Sequence, residues 1–294
     1  MSVLDKIAAL VKEPPPAYAF EVSERGIASS YAALPAFREL PEGTISVSPL
    51  RDNVQKADAL SAAVVGLYPA TGSRKRRAAA LILPDYSSRV QVLDFDSFPD
   101  KPEQQLQLIR FRVKKTIPFD VESAGISYHV QPVSKGRVDV LAAIVALEIL
   151  ARYEAPFRAA GFHPGYVTTS ALAALHLVPD NGVTVFAKLS GHTLTVVVLD
   201  RAHVKLIRCL EIESVDSATM LAILHPTVAY VEDELETSPN QLALCGFGEL
   251  ASDWGPEWER ELGLPVQSTQ SRLGAPGPFN AGLLGFLEGG GLVQ

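Results

Sequence analysis

A chain of 294 residues is longer than one hydrophobic core usually organises, so two lobes or domains are expected. Apolar residues make up 47% of it and charged residues 20%, which excludes global disorder, and the net charge of −7 argues against a surface that coats nucleic acid. The two cysteines, Cys209 and Cys245, lie in apolar runs, as buried free thiols of a reducing compartment do. Neither a secretory signal nor a run of ~20 apolar residues is visible, so the sequence predicts a soluble, cytoplasmic protein.

The N-terminal residues 1–16 form a unit of their own. Val3, Ile7, Leu10 and Val11 fall on one helical face, and three consecutive prolines then end the pattern. The apolar face lacks the Trp, Phe and basic residues of a membrane-surface helix. We therefore predict an amphipathic helix and a proline hinge that dock on a protein surface.

The rest of the chain shows one order of elements twice. Short runs joined by tight turns predict strands, those of the second copy being rich in β-branched residues, and an amphipathic segment after each group of three predicts a helix. A β-β-β-α-β order that occurs twice indicates an internal duplication, with a ligand cleft between two lobes. The first copy is predicted as strands 17–23, 27–34 and 44–48, helix 54–68 and strand 78–83, and the second as strands 183–189, 193–199 and 203–211, helix 214–236 and strand 241–245.

An insertion of about eighty residues separates the two copies. It begins with an extended segment, and two strands between two helices follow, the last helix being stopped by Gly161. This pattern predicts an α-β-β-α subdomain. Its segments are 84–96 extended, 103–115 helical, 126–133 and 138–145 as strands, and 147–160 helical.

Common catalytic and metal-binding motifs are missing from the sequence, which has no P-loop, H-E-x-x-H, C-x-x-C or G-x-S-x-G. The six histidines are scattered, so neither a catalytic residue nor a metal ligand is predicted. The basic run 74–77 precedes a strand and is interpreted as a solvated loop; the alternative is that it contacts an acidic partner or membrane headgroups. Gly246 and Gly248 follow a strand and could bring the backbone close to a nucleotide, although an ordinary turn explains them equally well.

Several segments resemble a known family. The stretch FRVKKTIPFDVESAGISYHV at 111–130 and the segment 138–175 are similar to the insertion and the following helix, strand and helix of PilM-like type IV pilus assembly proteins. LILPDYSSRV at 81–90, LALCGFGEL at 242–250 and NAGLLGFLEG at 280–289 match in character. This family belongs to the actin-like ATPase superfamily and is related to FtsA.

The resemblance implies an α/β fold: a duplicated actin-like (RNase H-like) two-lobe fold with an inserted α-β-β-α subdomain. The implied divisions are the N-terminal helix and hinge at 1–16, the first lobe at 17–84 and 161–180, the inserted subdomain at 85–160 and the second lobe at 181–294.

The phosphate-binding hairpins depart from the superfamily pattern. In that pattern each hairpin begins Asp-x-Gly, the carboxylate managing Mg²⁺ and the glycine admitting phosphate. Here the first reads Glu21-Val22-Ser23 and the second Lys188-Leu189-Ser190, followed by Gly191. An ammonium in place of a carboxylate changes the local charge by two units, worth several kcal/mol beside a dication at ~4–5 Å and an effective dielectric of about 20. We therefore expect a degenerate nucleotide site formed by Glu21, Ser23, Lys188, Ser190, Gly191, Gly246 and Gly248, without ATP hydrolysis and with no ATP, Mg²⁺ or other cofactor required.

The resemblance also implies a function on protein surfaces. PilM-like proteins lie beneath the inner membrane and bind the N-terminal cytoplasmic tail of PilN, in a groove between the first lobe and the insertion. We expect the same of this chain, with the pilus motor and platform proteins as further partners and with self-association left open. An extended peptide with apolar anchors would fit such a groove. The expected groove residues are Leu83, Pro84, Ile109, Arg112, Ile117, Pro118 and Phe119.

Two alternatives stay open at this point. One is an actin-like ATPase or small-molecule kinase with unconventional phosphate loops. It would need a carboxylate elsewhere in the cleft, for which Glu211, Glu213 and Asp216 are candidates. The other is the cytoplasmic actin-like component of a type II secretion platform.

Overall fold

The computed structural model describes residues 16–32, 34–69, 76–134, 137–180 and 182–291. Nearly all of the predicted N-terminal helix and half of the basic run 74–77 lie outside the described residues. No helix within the described ranges is long and apolar enough to cross a membrane.

The first lobe is built on a five-stranded mixed sheet. The strands are β1 (Tyr18–Val22), β2 (Gly26–Tyr31), β3 (Leu34–Glu39), β4 (Arg77–Leu83) and β8 (Phe162–Thr169). The first three form an antiparallel meander, β1 also pairs in parallel with β4, and β4 pairs in parallel with β8. The strand order is β3-β2-β1-β4-β8, so β3 and β8 are the edge strands.

The second lobe repeats this sheet. Its strands are β9 (Val183–Ser190), β10 (Thr193–Asp200), β11 (His203–Glu211), β12 (Gln241–Cys245) and β13 (Val266–Ser268). Their order, β11-β10-β9-β12-β13, has the same succession of antiparallel and parallel pairs as the first sheet. The predicted internal duplication is therefore confirmed.

The helices that connect the strands also correspond between the lobes. In the first lobe, one helix (Ala57–Leu67) precedes β4 and another (Leu147–Ala159) precedes β8. In the second lobe, the corresponding helices are Ser217–Glu234, before β12, and Leu250–Leu262, before β13. The core of the first lobe buries one face of Leu147–Ala159 against Phe20 and Phe162; the residues on that face are Ile149, Tyr153 and Phe157. This helix therefore belongs to the first lobe, whereas the sequence placed it in the insertion.

The inserted subdomain is a three-stranded antiparallel sheet with one helix. The elements are β5 (Arg89–Phe95), the helix Pro102–Val113, β6 (Ala124–Ser134) and β7 (Arg137–Ala146). The strand order is β5-β7-β6, so the segment predicted only as extended chain contains a full strand, β5, that pairs with β7. A 3₁₀ turn at Asp85–Ser87 joins β4 to this sheet.

One strand lies elsewhere than the sequence indicated. The third strand of the first meander was predicted at 44–48, but β3 occupies Leu34–Glu39 and the predicted segment forms only an isolated bridge between Ile45 and Val54. All six β3 residues are exposed, so the strand has no alternating pattern, and Pro35 disfavours a central strand. Pairing with β2 alone places β3 at an edge, where a proline is tolerated.

The end of the chain crosses from the second lobe to the first. The helix Ala281–Phe286 packs on the short helix Ser170–Ala174, and Leu283 is buried with Ala19 and Ala80 of the first sheet. A Cβ on Gly285 would lie 2.2 Å from the carbonyl O of Ala173, so the two helices meet at a distance that only glycine allows.

Candidate functional site

The first hairpins of the two lobes face each other across a cleft. In the β1–β2 turn, Ser23 Oγ donates to the Gly26 carbonyl O (2.9 Å), and Gly26 N donates to Ser23 Oγ (3.1 Å). In the β9–β10 turn, Gly191 has a φ of 57°, and a Cβ added there would lie 3.4 Å from Glu24 Oε2 of the first hairpin. The two turns are thus in near contact.

Lys188 forms a buried ion pair between the lobes. Its side chain is 0% exposed, and Nζ lies 3.0 Å from Asp85 Oδ2, whose side chain is 3% exposed. Nζ also donates to Ser190 Oγ, within the same hairpin. Burial by itself lowers the pKa of Lys188, but the carboxylates of Asp85 and Glu21 outweigh it, and the pKa lies above its ordinary value. Lys188 is therefore charged in the core of the molecule.

Asp85 accepts three hydrogen bonds. Oδ1 accepts from the backbone N of Ala171 (2.6 Å), and Oδ2 accepts from Thr195 Oγ1 (3.2 Å) as well as from Lys188. Asp85 lies two residues after the end of β4, with Pro84 between them, and Ala171 lies in the helix that follows β8. One carboxylate thus joins two segments of the first lobe to β9 and β10 of the second.

Glu21 is buried on the same side of the cleft and is also engaged. It accepts from Ser170 Oγ and from the backbone N of Leu283 (2.7 Å). Burial raises the pKa of Glu21 above its ordinary value, although the Lys188 charge and these hydrogen bonds act in the opposite direction. Its two oxygens are therefore committed to partners within the chain.

The space between the hairpins is small. The cavity there has a volume of about 30 Å³, which is room for only two or three waters at ~10–15 Å³ each. Pro278 and Phe279 form part of its wall. Gly246, in the left-handed region with a φ of 77°, packs so closely that an added Cβ would lie 2.3 Å from the Leu189 carbonyl O and 3.1 Å from Pro278 Cα. The absence of a side chain at Gly246 thus allows other segments of the chain to pack closely against it, whereas Gly248 faces open space.

Asp85 is the cleft residue that the sequence did not single out. The candidates Glu211, Glu213 and Asp216 do not line the cavity, and Asp216 instead caps the helix Ser217–Glu234 by accepting from Thr219 N. The available signal was the position of Asp85 at the carboxyl end of a parallel strand, where α/β sheets bind ligands. Among the described residues, no cluster of three His, Cys, Asp or Glu side chains is placed to hold a metal ion.

A second concavity runs between the first lobe and the inserted sheet. It has a volume of about 360 Å³ and is mostly apolar. Two edge strands form its sides, β8 of the first lobe and β6 of the insertion. This groove is lined by Leu83, Ser88, Ile126, Ser127, Val145, Leu150, Val167, Thr169 and Leu172, among others.

The residues predicted for the groove fall in several places. Leu83 lines it, and Pro84 lines the cavity between the two hairpins. The others belong to the insertion: Ile109 and Ile117 are buried in its core, with Phe119 packed against them, Arg112 pairs with Asp94 on its surface, and Pro118 is exposed.

The two large sheets have the same topology, their first hairpins face each other across a cleft, and a small sheet is inserted in the first lobe. These three features define an actin-like fold. A chain in the solved structure of a PilM–PilN type IV pilus biogenesis complex shares it, with 17% identity, a TM-score of 0.71, and coverage of 96% of this chain and 100% of that one.

Two further solved structures are similar at a lower level. The cytoplasmic domain of EpsL, an inner membrane component of the type II secretion system of Vibrio cholerae, has 15% identity over 77% of this chain and 80% of that one, with a TM-score of 0.49. MreB5 of Spiroplasma citri bound to ADP has 9% identity over 92% and 94%, with a TM-score of 0.46. No protein-family model and no curated protein matches the sequence.

Proposed function

We propose that this protein is a non-catalytic actin-like scaffold of a type IV pilus inner-membrane platform, located in the cytoplasm, and that it binds the N-terminal cytoplasmic tail of a PilN-like membrane protein. The observation that carries the non-catalytic part is the buried ion pair between Lys188 and Asp85. The partner is proposed from the likeness to the chain of the PilM–PilN complex.

The chemistry of the cleft supports a scaffold over an ATPase. A magnesium site needs oxygen atoms that are free to bind the ion, usually from one or two carboxylates, with waters as the remaining ligands. Here the oxygens of Asp85 and Glu21 already accept hydrogen bonds, and the Lys188 ammonium of the second hairpin pairs with Asp85. This set of side chains therefore does not suit Mg²⁺.

The groove supports binding of an extended peptide. The outer edges of β8 and β6 bear main-chain groups that an added strand can pair with, and the apolar lining accepts alternate side chains of that strand. A tail that orders on binding gives up conformational entropy, so a modest affinity is expected.

The first experiment separates scaffold from enzyme. The purified protein is titrated with ATP by calorimetry, with and without Mg²⁺, and phosphate release is followed in parallel. We expect neither binding nor release. Magnesium-dependent release would refute the scaffold proposal and turn Asp85 into a candidate catalytic carboxylate.

The second experiment tests the groove. A synthetic peptide with the N-terminal cytoplasmic sequence of the PilN-like protein from the same organism is titrated against the wild type and two variants. Ser127→Arg places a long charged side chain in the groove, and Val133→Arg places one on the same strand outside the groove lining. We expect at least a tenfold loss of affinity for the first and none for the second. Equal binding by both variants would place the peptide elsewhere.

A further inference from the structure

We propose that the second lobe sets the shape of the groove by holding both of its walls, with Lys188 and Asp85 as positioning residues on one wall and Gln131 on the other. Lobe closure and peptide binding are then coupled through these contacts. The identity of the peptide rests on the proposed function, but the coupling does not.

The first wall is tied through Asp85. This residue lies between Leu83 and Ser88, which both line the groove, and it begins the 3₁₀ turn that joins β4 to the insertion. Its Oδ1 accepts from Ala171 N, between the groove residues Thr169 and Leu172. The carboxylate thus fixes two segments of the same wall relative to each other.

Lys188 is what keeps that carboxylate in place. A buried carboxylate without its cation either takes up a proton or moves toward water, since an unpaired charge in the core is costly. Protonation weakens Asp85 as an acceptor for Ala171 N, and movement breaks that bond. Either response displaces the turn Asp85–Ser87 or the helix Ser170–Ala174, and with them the groove wall.

The second wall is tied by Gln131, on the edge strand β6. Its side chain is 2% exposed; Nε2 donates to the Val204 carbonyl O (3.0 Å), and Oε1 accepts from Val204 N (2.8 Å). The side-chain amide of Gln131 thus pairs with the main chain of β11 through two hydrogen bonds, as a neighbouring strand would. Nearby, Lys205 Nζ lies 3.0 Å from Asp139 Oδ2 of the inserted sheet.

The two attachments lie on opposite sides of the groove and lead to one sheet. Lys188 is on β9 and Val204 on β11, which β10 joins. A rigid sheet that holds both walls fixes their separation. Any ligand that prefers one width of the groove then acts on the contact between the lobes, and the reverse also holds.

The test uses the full-length protein and two readouts. Lys188→Met removes the ion pair with Asp85, and Gln131→Ala removes the two hydrogen bonds to Val204. As the matched control, Arg158→Met breaks a surface ion pair with Glu154 away from the groove. Hydrogen exchange without peptide reports the walls, and titration with the synthetic PilN-like tail peptide reports binding. We expect at least fivefold faster exchange at residues 168–172 in Lys188→Met and along β6 in Gln131→Ala, at least tenfold weaker peptide binding in both, and no change in the control.

The outcomes separate the two proposals. Faster exchange at the walls, with no peptide binding even by the wild type, supports the control of the groove walls by the second lobe and rejects the partner. Unchanged exchange and affinity in both variants overturns the coupling while leaving the partner in place. If Lys188→Met exchanges faster throughout both lobes, the fold itself has failed and Gln131→Ala alone decides: wild-type exchange and affinity in that variant overturn the proposal.

Discussion

Replacing Lys188 by methionine is expected to destabilise the protein severely. Methionine has a similar length and no charge, so it fills the site but leaves Asp85 buried without its cation. Removing one partner of a buried pair costs about 3–5 kcal/mol. That is a large share of the ~5–15 kcal/mol that stabilises a typical folded protein.

The double variant Asp85→Asn with Lys188→Met serves as the matched control. Asparagine keeps an oxygen that accepts from Ala171 N, and its amide can donate to the Thr195 hydroxyl. We expect it to recover most of the loss, because no unpaired charge remains in the core. The cycle of two single variants and the double variant measures the coupling energy of the pair.

Urea denaturation supplies the free energies. Both tryptophans, Trp254 and Trp258, lie in one helix of the second lobe, so their fluorescence reports that lobe, while circular dichroism reports the whole chain. Coincident transitions are required before a two-state free energy is assigned. A Lys188→Met variant within 1 kcal/mol of the wild type would refute the view that this pair holds a charge in the core.

Three further predictions concern single positions. Because the folded pKa of Glu21 is raised above its ordinary value of 4.5, its contribution to stability is present below pH 4.5 and is lost as the pH rises through the folded pKa, by up to about 1.4 kcal/mol per pH unit. Relative to the wild type, Glu21→Gln should therefore become more stable to urea as the pH rises above 4.5, and a stability difference that does not change with pH would contradict this. Gly246→Ala should cost more than ~2 kcal/mol because its Cβ would meet the Leu189 carbonyl at 2.3 Å, whereas Gly248→Ala, also left-handed but open, should cost only about 1 kcal/mol; equal losses in thermal unfolding would contradict the packing argument. Hydrogen bonds from Ser214 and Thr219 lower the pKa of Asp216 to about 2, so Asp216→Ala should lower the urea midpoint at pH 7 but converge with the wild type as the pH falls toward 2, while Asp216→Ser, which retains a cap, should lose less at pH 7.

Local patterns in the sequence were sufficient for the elements with strong periodicity. The β-branched runs on either side of Gly191 predicted β9 and β10, and their repetition predicted the duplication that the two sheets confirm. The strand patterns depend on neighbours within a few residues, so the sequence displays them directly. Lys188 stood out only through the resemblance to actin-like hairpins, which have a carboxylate at that position.

Tertiary structure decided what depends on partners far along the chain. β3 is a strand because β2 offers an edge to it, although Pro35 and full exposure hide the pattern. The helix Leu147–Ala159 belongs to the first lobe because its apolar face meets that core, which periodicity by itself does not reveal. Asp85 and Lys188 are 103 residues apart in sequence, and their pairing exists only because two lobes close on each other. Burial turns two ordinary surface-type residues into an ion pair between the lobes, and burial is a property of the folded chain.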